Sequence, residues 1–182
     1  GVLEDSTSTR QVLEWYRVVR FSVVIPVYNR PNLVRATLRS VFQQEYDNYE
    51  IIVVDDGSTD ETISVLNALG DRIRLLQQQN RGPGAARNRG IRASRGDYVA
   101  FLDSDDLWFP WTLNVYESII EDYDHPAFVA GSPYRFEGEQ AEALGEAKHS
   151  EITTEAFPDY YSSSDQWRWW GVSSFVMKKD AL

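Results

Sequence analysis

Cysteine is absent from the 182 residues, which removes disulfides, cysteine-ligated zinc and a thiol nucleophile from consideration. Histidine is scarce: His125 and His149 are the only two, and they lack the HExxH spacing of a zinc protease. No apolar run approaches the ~18 residues that a membrane-spanning helix needs. The N-terminus carries neither the charged nor the apolar region of a signal peptide. A cytoplasmic protein is therefore expected, with the inner face of the membrane as a second place of work if a membrane region lies outside this chain. Gly1 in place of methionine suggests a processed or engineered start.

Positive charge is also in short supply. Lys and Arg total 18 against 28 Asp and Glu, for a formal net charge of −10. Such a surface repels nucleic-acid phosphates unless a basic stripe offsets it, and the arginines cluster only between residues 81 and 95. No nucleic-acid partner is expected. A phosphate-bearing ligand would be repelled as well, unless a metal ion mediates. What remains is ordinary for a globular chain: 42% hydrophobic and 25% charged residues match a folded domain rather than a disordered or fibrous one, and the length fits about one domain.

Residues 10–20 place Val12, Trp15, Tyr16 and Val19 near helical spacing, which predicts a short amphipathic helix in an N-terminal lead covering 1–20. From Phe21 the rhythm changes. The runs 21–27 (FSVVIPV), 50–54, 72–76, 97–102 and 127–131 read as short strands buried on both faces. Between them, 31–44, 60–69, 84–94 and 110–123 carry helical patterns, with Pro31 suited to a first turn and Gly70 to a helix end. Strand and helix alternate, the sign of βαβ units building an α/β, mostly parallel sheet with helices on both faces. Residues 137–155 read as an acidic loop or lid, Phe157, Tyr160, Tyr161, Trp167, Trp169 and Trp170 as an aromatic cluster, and 172–177 as one more strand.

In such sheets ligands bind beyond the carboxyl ends of the strands. Two acidic clusters fall there: Asp55-Asp56-Gly57-Ser58 and Asp103-Ser104-Asp105-Asp106. Turns and helix caps also favour Asp and Gly, and capping is the preferred reading for Asp60. Two clusters, each directly after a buried run, point further. An Asp-x-Asp pair is hard-oxygen chemistry, suited to Mg²⁺ or Mn²⁺ bridging to a diphosphate. Other motifs fail: Arg87 stands where a dinucleotide fingerprint needs glycine, no Gly-Lys-Ser/Thr marks a phosphate loop, and Leu107 replaces the threonine of aspartate-nucleophile phosphatases.

Four segments in order, Pro26-Val27-Tyr28-Asn29, Val54–Asp60 (VDDGSTD), Asn80–Asn88 (NRGPGAARN) and Ala100–Asp106 (AFLDSDD), resemble family 2 glycosyltransferases of the GT-A fold. The resemblance covers residues 21–131 well and 132–182 loosely. It implies a nucleotide-sugar-binding domain over 21–182 with its acceptor part incomplete. The implied reaction is metal-dependent, inverting transfer from a nucleotide-sugar, a UDP-sugar foremost, to a glycan or glycolipid acceptor, commonly in surface polysaccharide biosynthesis. Carried over by position, Pro26, Val27, Tyr28 and Asn29 lie along the nucleoside and Asp55 resembles the carboxylate that accepts from the base. Gly84 and Arg87 belong to a loop approaching the nucleotide, with Arg81 as the alternative polar contact. Asp103 resembles the ribose contact, Ser104 joins it among the nucleotide-binding residues, and Asp105 resembles the ligand of Mn²⁺ or Mg²⁺, while Asp106 either caps the next helix or reaches the sugar. Pro26 and Trp108 also suit structural roles.

The family's catalytic base follows the strand placed at 172–177, so the resemblance implies a base beyond Leu182. Asp165 and Asp180 do not fit its pattern. The aromatic cluster suits either an acceptor platform or packing beneath a lid, and, if exposed, self-association into a homo-oligomer. Two rival readings stand beside this one: a metal-dependent sugar-phosphate nucleotidyltransferase or phosphatase, and a non-catalytic nucleotide-sugar-binding module.

Overall fold

A computed structural model of the chain describes residues 19–131, 153–154, 156 and 172–182. All but the last two residues of the expected helix over 10–20, most of the acidic loop, the aromatic cluster and Asp165 lie outside the described residues, and residues 19–20 are not helical. The elements run β1 (Phe21–Val27), α1 (Pro31–Phe42), β2 (Tyr49–Asp55), α2 (Thr62–Asn67), β3 (Arg74–Gln77), α3 (Pro83–Ala93), β4 (Tyr98–Phe101), α4 (Thr112–Asp122), β5 (Phe128–Ala130) and β6 (Phe175–Lys178). Single 3₁₀ turns cover Gly70–Arg72, Val172–Ser174 and Lys179–Ala181.

The strands form one six-stranded sheet in the order β3-β2-β1-β4-β6-β5. β1 pairs in parallel with β2 and β4, and β2 with β3. β6 runs antiparallel to both β4 and β5, entering between them. The expected α/β architecture, mostly parallel, is borne out.

Alternation along the strands divides the core in two. Phe21, Val23, Ile25 and Val27 pack with Val34, Leu38 and Val41 of α1, Leu66 of α2 and Leu113, Tyr116 and Ile120 of α4. Val24, Ile52, Val54, Val99 and Phe101 face the other way, toward Ala86 and Ile91 of α3. Helices therefore cover both faces, and each fully buried Leu or Ile contributes roughly 2–5 kcal/mol against truncation to alanine. Gly90 lets α3 lie flat on the sheet, since a Cβ there would sit 2.3 Å from Val24 Cγ1.

Several boundaries differ from the sequence expectation, including the strand expected over 172–177, where Val172–Ser174 form a 3₁₀ turn and β6 runs from Phe175 to Lys178. α2 stops at Asn67, and Gly70 instead opens a 3₁₀ turn at φ +54°. β3 starts at Arg74 because that turn takes Arg72, whose guanidinium lies 3.6 Å from the centre of the Phe42 ring. Asp60 is not the cap the sequence suggested: Glu61 is the N-cap of α2 and makes no side-chain cap bond, while Asp60, one residue earlier, accepts from the Thr62 N–H at 2.9 Å in an Asx turn.

At the amino ends of the strands, a buried polar knot holds the sheet to the lead into β4. Ser22 Oγ donates to Glu50 Oε1 at 2.7 Å and accepts from the N–H groups of Arg95 and Gly96. Glu50 also accepts from the Arg95 backbone and side chain. Burial pushes the Glu50 carboxyl up, but the hydrogen bonds from Ser22 and Arg95 outweigh it and hold the pKa below its ordinary value. A carboxyl depressed in the folded state contributes stability above its unfolded pKa and loses it as the pH falls through the folded value. Glu50→Gln is therefore expected to flatten the acid limb of the stability curve, measured by urea unfolding between neutral pH and about pH 3. An unchanged acid limb would count against this assignment.

Among the described residues no helix is long and apolar enough to cross a membrane.

Candidate functional site

The strand order reverses direction at β1, whose neighbours are β2 on one side and β4 on the other. The carboxyl ends of β1, β2 and β4 thus open onto one rim, where an α/β sheet places its ligand. All of Tyr28, Asn29, Asp55 and Asp103 follow or close these strands, so the fold brings the predicted residues to one edge.

Within the β1 segment the side chains divide. Pro26 and Val27 are buried, and Val27 packs in the core below the rim. Only their backbone faces the neighbouring loop, the Val27 carbonyl accepting from the Asp56 N–H at 2.8 Å. Tyr28 is 43% exposed and is the one large side chain of this segment open to a ligand. Asn29 adopts the left-handed conformation at φ +50°, which an Asn tolerates better than most residues. Its Oδ1 accepts from Thr59 N–H at 2.8 Å while its own N–H donates to Ser58 Oγ at 2.9 Å. The loops after β1 and β2 are laced together by that exchange.

Asp55 and Asp56 are both buried but are used differently. Asp56 accepts from Gln78 Nε2 and from the backbone N–H groups of Arg81 and Gly82, at 2.8, 2.9 and 2.8 Å. It therefore anchors the loop that leads into α3, a role the sequence analysis missed. Gly57 completes the junction: it sits at φ +81°, and a Cβ would lie 2.8 Å from the Asn80 nitrogen. Asp55 Oδ2 accepts from the N–H groups of Gly57 and Ser58, both at 3.1 Å. Its other oxygen, Oδ1, is buried with no hydrogen-bond partner among the described residues. A buried acceptor left unpaired costs about 1–3 kcal/mol, and such a group asks for an explanation.

Past β4, Asp103 is ion-paired with Arg87 of α3, and Arg87 Nε is a second buried polar atom without a partner. Gly84, in the first turn of α3, is exposed and open to the solvent side. Ser104 is buried, whereas Asp105 and Asp106 are exposed. Asp105 Oδ2 lies 2.6 Å from Arg30 Nη1. Arg30, at the N-cap of α1, went unremarked in the sequence; its pairing becomes visible only once β1 and β4 are known to be neighbours.

Asp106 caps no helix, because α4 begins later with Trp111 as its N-cap. Crowding by protein atoms pushes the Asp106 carboxyl up although it reaches the surface; a Ser173 hydrogen bond lowers it, Asp105 and Asp103 raise it further, and Arg30 opposes them. Ser173, a second missed residue, also accepts from the Asp103 N–H at 2.8 Å, and its carbonyl accepts from Trp108 Nε1 at 2.9 Å. Trp108 is thus structural, 4% exposed and edge-on to Tyr116. Asp180 lies at the other end of the sheet, beside Arg20, Arg95 and Lys179 in a cavity of about 410 Å³.

Among the described residues no three acidic or imidazole groups converge as a closed metal cage. The donor set nevertheless fits an open cation site. Mg²⁺ and Mn²⁺ take one or two carboxylates and complete their shell with phosphate oxygens and water, and the half-exposed Asp105 carboxylate, 44% accessible, offers such oxygens.

Comparison with known proteins places the fold and the family. An uncharacterized glycosyltransferase of Rickettsia conorii is 42% identical over 120 residues, which is 64% of this chain and 19% of the relative. The chain thus spans about a fifth of that relative's length. Among solved structures, residues 1–349 of Staphylococcus aureus TarS in complex with UDP-GlcNAc match at TM-score 0.59 and 29% identity, over 67% of this chain and 36% of that one. The Pyrobaculum calidifontis mannosyltransferase PcManGT, in complex with GDP-Man and Mn²⁺, matches at TM-score 0.54 and 28% identity, over 64% and 36%. The family model described as glycosyl transferase family 2 matches residues 22–176, and the chain belongs to that family.

Proposed function

We propose that this chain binds a nucleotide-sugar, a UDP-sugar foremost, along the rim formed by β1, β2 and β4. The sugar passes from it to an acceptor hydroxyl of a glycan or glycolipid, with inversion at the anomeric carbon. The observation that carries the reading is the buried, unpartnered Oδ1 of Asp55. Uracil, thymine and guanine each present a ring N–H that supplies the missing hydrogen bond. Cytosine and adenine present a bare ring nitrogen instead, which a carboxylate repels.

The other residues have complementary tasks. Tyr28 offers an aromatic face to the base, on walls held at fixed spacing by Asn29, Ser58 and Thr59. Arg87 holds the Asp103 carboxylate where it accepts from ribose hydroxyls, and Gly84 leaves room for close approach of the ligand. Asp105 is the residue to hold Mn²⁺ or Mg²⁺, which when bound neutralises charge on the departing nucleoside diphosphate. That cation answers the repulsion between a phosphate ligand and a chain of net charge −10.

Calorimetric titration of UDP, GDP, dTDP, CDP and ADP, each with and without Mn²⁺, tests the reading. UDP is expected to bind only with Mn²⁺, and CDP and ADP at least about tenfold more weakly, since each loses a hydrogen bond to a charged group. Indifference to the base would sink the Asp55 assignment. Failure of every nucleotide to bind in Mn²⁺ would overturn the reading as a whole.

A further inference from the structure

We infer that Arg30 is an exchangeable counter-ion: it occupies the cation's place on Asp105 while no metal is bound, and passes to the diphosphate of the ligand once the metal takes Asp105. The inference rests on the proposed reading, its first half on the assignment of the cation to Asp105 and its second on the nucleotide-sugar ligand.

The two ion pairs of the acidic turn differ in a way that singles out Arg30. Arg87 and Asp103 are the more enclosed pair, with 21% and 33% of their side-chain surfaces accessible, and Arg87 Nε is buried. Arg30 and Asp105 are 45% and 44% accessible, joined at 2.6 Å. An exposed pair is worth about 1 kcal/mol at most, so a divalent cation can displace it. The Arg30 backbone, by contrast, is fixed. Its N–H donates to Thr62 Oγ1 at 3.0 Å and its carbonyl accepts from Val34 N–H at 3.0 Å. Only the side chain is free to swing.

Chemistry sets the direction of the swing. Arginine stays protonated, so it leaves a carboxylate by moving rather than by losing charge. The turn carries Asp103, Asp105 and Asp106 together, and Arg30 offsets their mutual repulsion until a cation arrives. A guanidinium freed there, beside the amino end of α1, matches in shape and charge the diphosphate that the cation also binds.

The test pairs two titrations on the chain and its Arg30→Gln, Arg30→Lys and Asp105→Asn variants. Mn²⁺ alone is followed by electron paramagnetic resonance, and UDP is followed by calorimetry at saturating Mn²⁺. Arg30→Gln is expected to tighten Mn²⁺ about three- to fivefold, by removing the competitor, and to weaken UDP about tenfold, by removing a charged hydrogen bond. Arg30→Lys should stay closer to the wild type in the metal titration than in the UDP titration. A merely structural role would move both affinities the same way. Equal or weaker Mn²⁺ binding in Arg30→Gln would overturn the exchange, as would Mn²⁺ binding that survives Asp105→Asn unchanged. If the unaltered chain takes Mn²⁺ at Asp105 but no UDP, the nucleotide-sugar reading falls, and the metal titration still decides whether Arg30 competes for Asp105.

Discussion

Asp56→Ala is expected to lower the unfolding free energy by about 3–5 kcal/mol, a large part of the roughly 5–15 kcal/mol typical of a domain. Asp56 is 3% exposed, and its two oxygens accept from Gln78 Nε2 and from the N–H groups of Arg81 and Gly82. Alanine leaves two backbone donors without a partner in a part-buried junction. Each such loss costs about 1–3 kcal/mol, and removal of a charged acceptor adds to it. Urea unfolding should show a lower midpoint at unchanged slope, the sign of lost stability without a changed denatured state. Asp56→Asn should recover part of the loss, because its amide keeps one accepting oxygen while turning an NH₂ toward donors. An alanine variant within about 1 kcal/mol of the parent would show that water replaces the carboxylate at little cost.

Asp105→Ala is expected to have the opposite profile. Its side chain is 44% accessible and, among the described residues, paired only with the equally open Arg30, so stability should change by no more than about 0.5 kcal/mol. Nucleotide binding should suffer instead. With the proposed metal ligand gone, UDP affinity at fixed Mn²⁺ should fall at least about 100-fold and become insensitive to the metal. Calorimetry with and without Mn²⁺ reads both effects, and a thermal melt confirms the fold. Retention of a full metal response in Asp105→Ala would place the cation elsewhere. Those two outcomes together would separate a carboxylate that builds the rim, Asp56, from one that serves the proposed ligand, Asp105.

Much of that division was hidden in the sequence. β1, β2 and β4 are legible as strands because Phe21–Val27, Tyr49–Asp55 and Tyr98–Phe101 are apolar on both faces, and the helices between them carry a 3.6-residue stripe. The acidic clusters are legible as rim residues for the same reason, since each directly follows such a run. The split between Asp55 and Asp56 is not, because the partners of Asp56 come from residues 78–82 and belong to tertiary structure. Arg30 and Ser173 escaped notice on similar grounds. Their contacts join β1 to β4 and β6 to β4, and a local pattern holds no record of strand order. Gly70 misled for a different reason: its φ of +54° suits a helix end, but α2 had already closed at Ala68. Resemblance to a family, rather than spacing alone, singled out Asp103 and Asp105 from ordinary turn aspartates.

The position of β6 between β4 and β5 imposes a timetable on a nascent chain. β1 to β4 are all encoded before residue 102 and can pair as soon as they leave the ribosome. β5 also emerges early, yet its partner is β6, and Val129 waits for Val176 as Ala100 does. Until Phe175–Lys178 is synthesised, the flank of β4 is an open edge, and open edges recruit strands from other chains. Such distant pairings are also slow to form. The acidic turn after β4 takes Ser173 as its hydrogen-bond partner, so its shape is set by the same late segment that covers the open flank of β4.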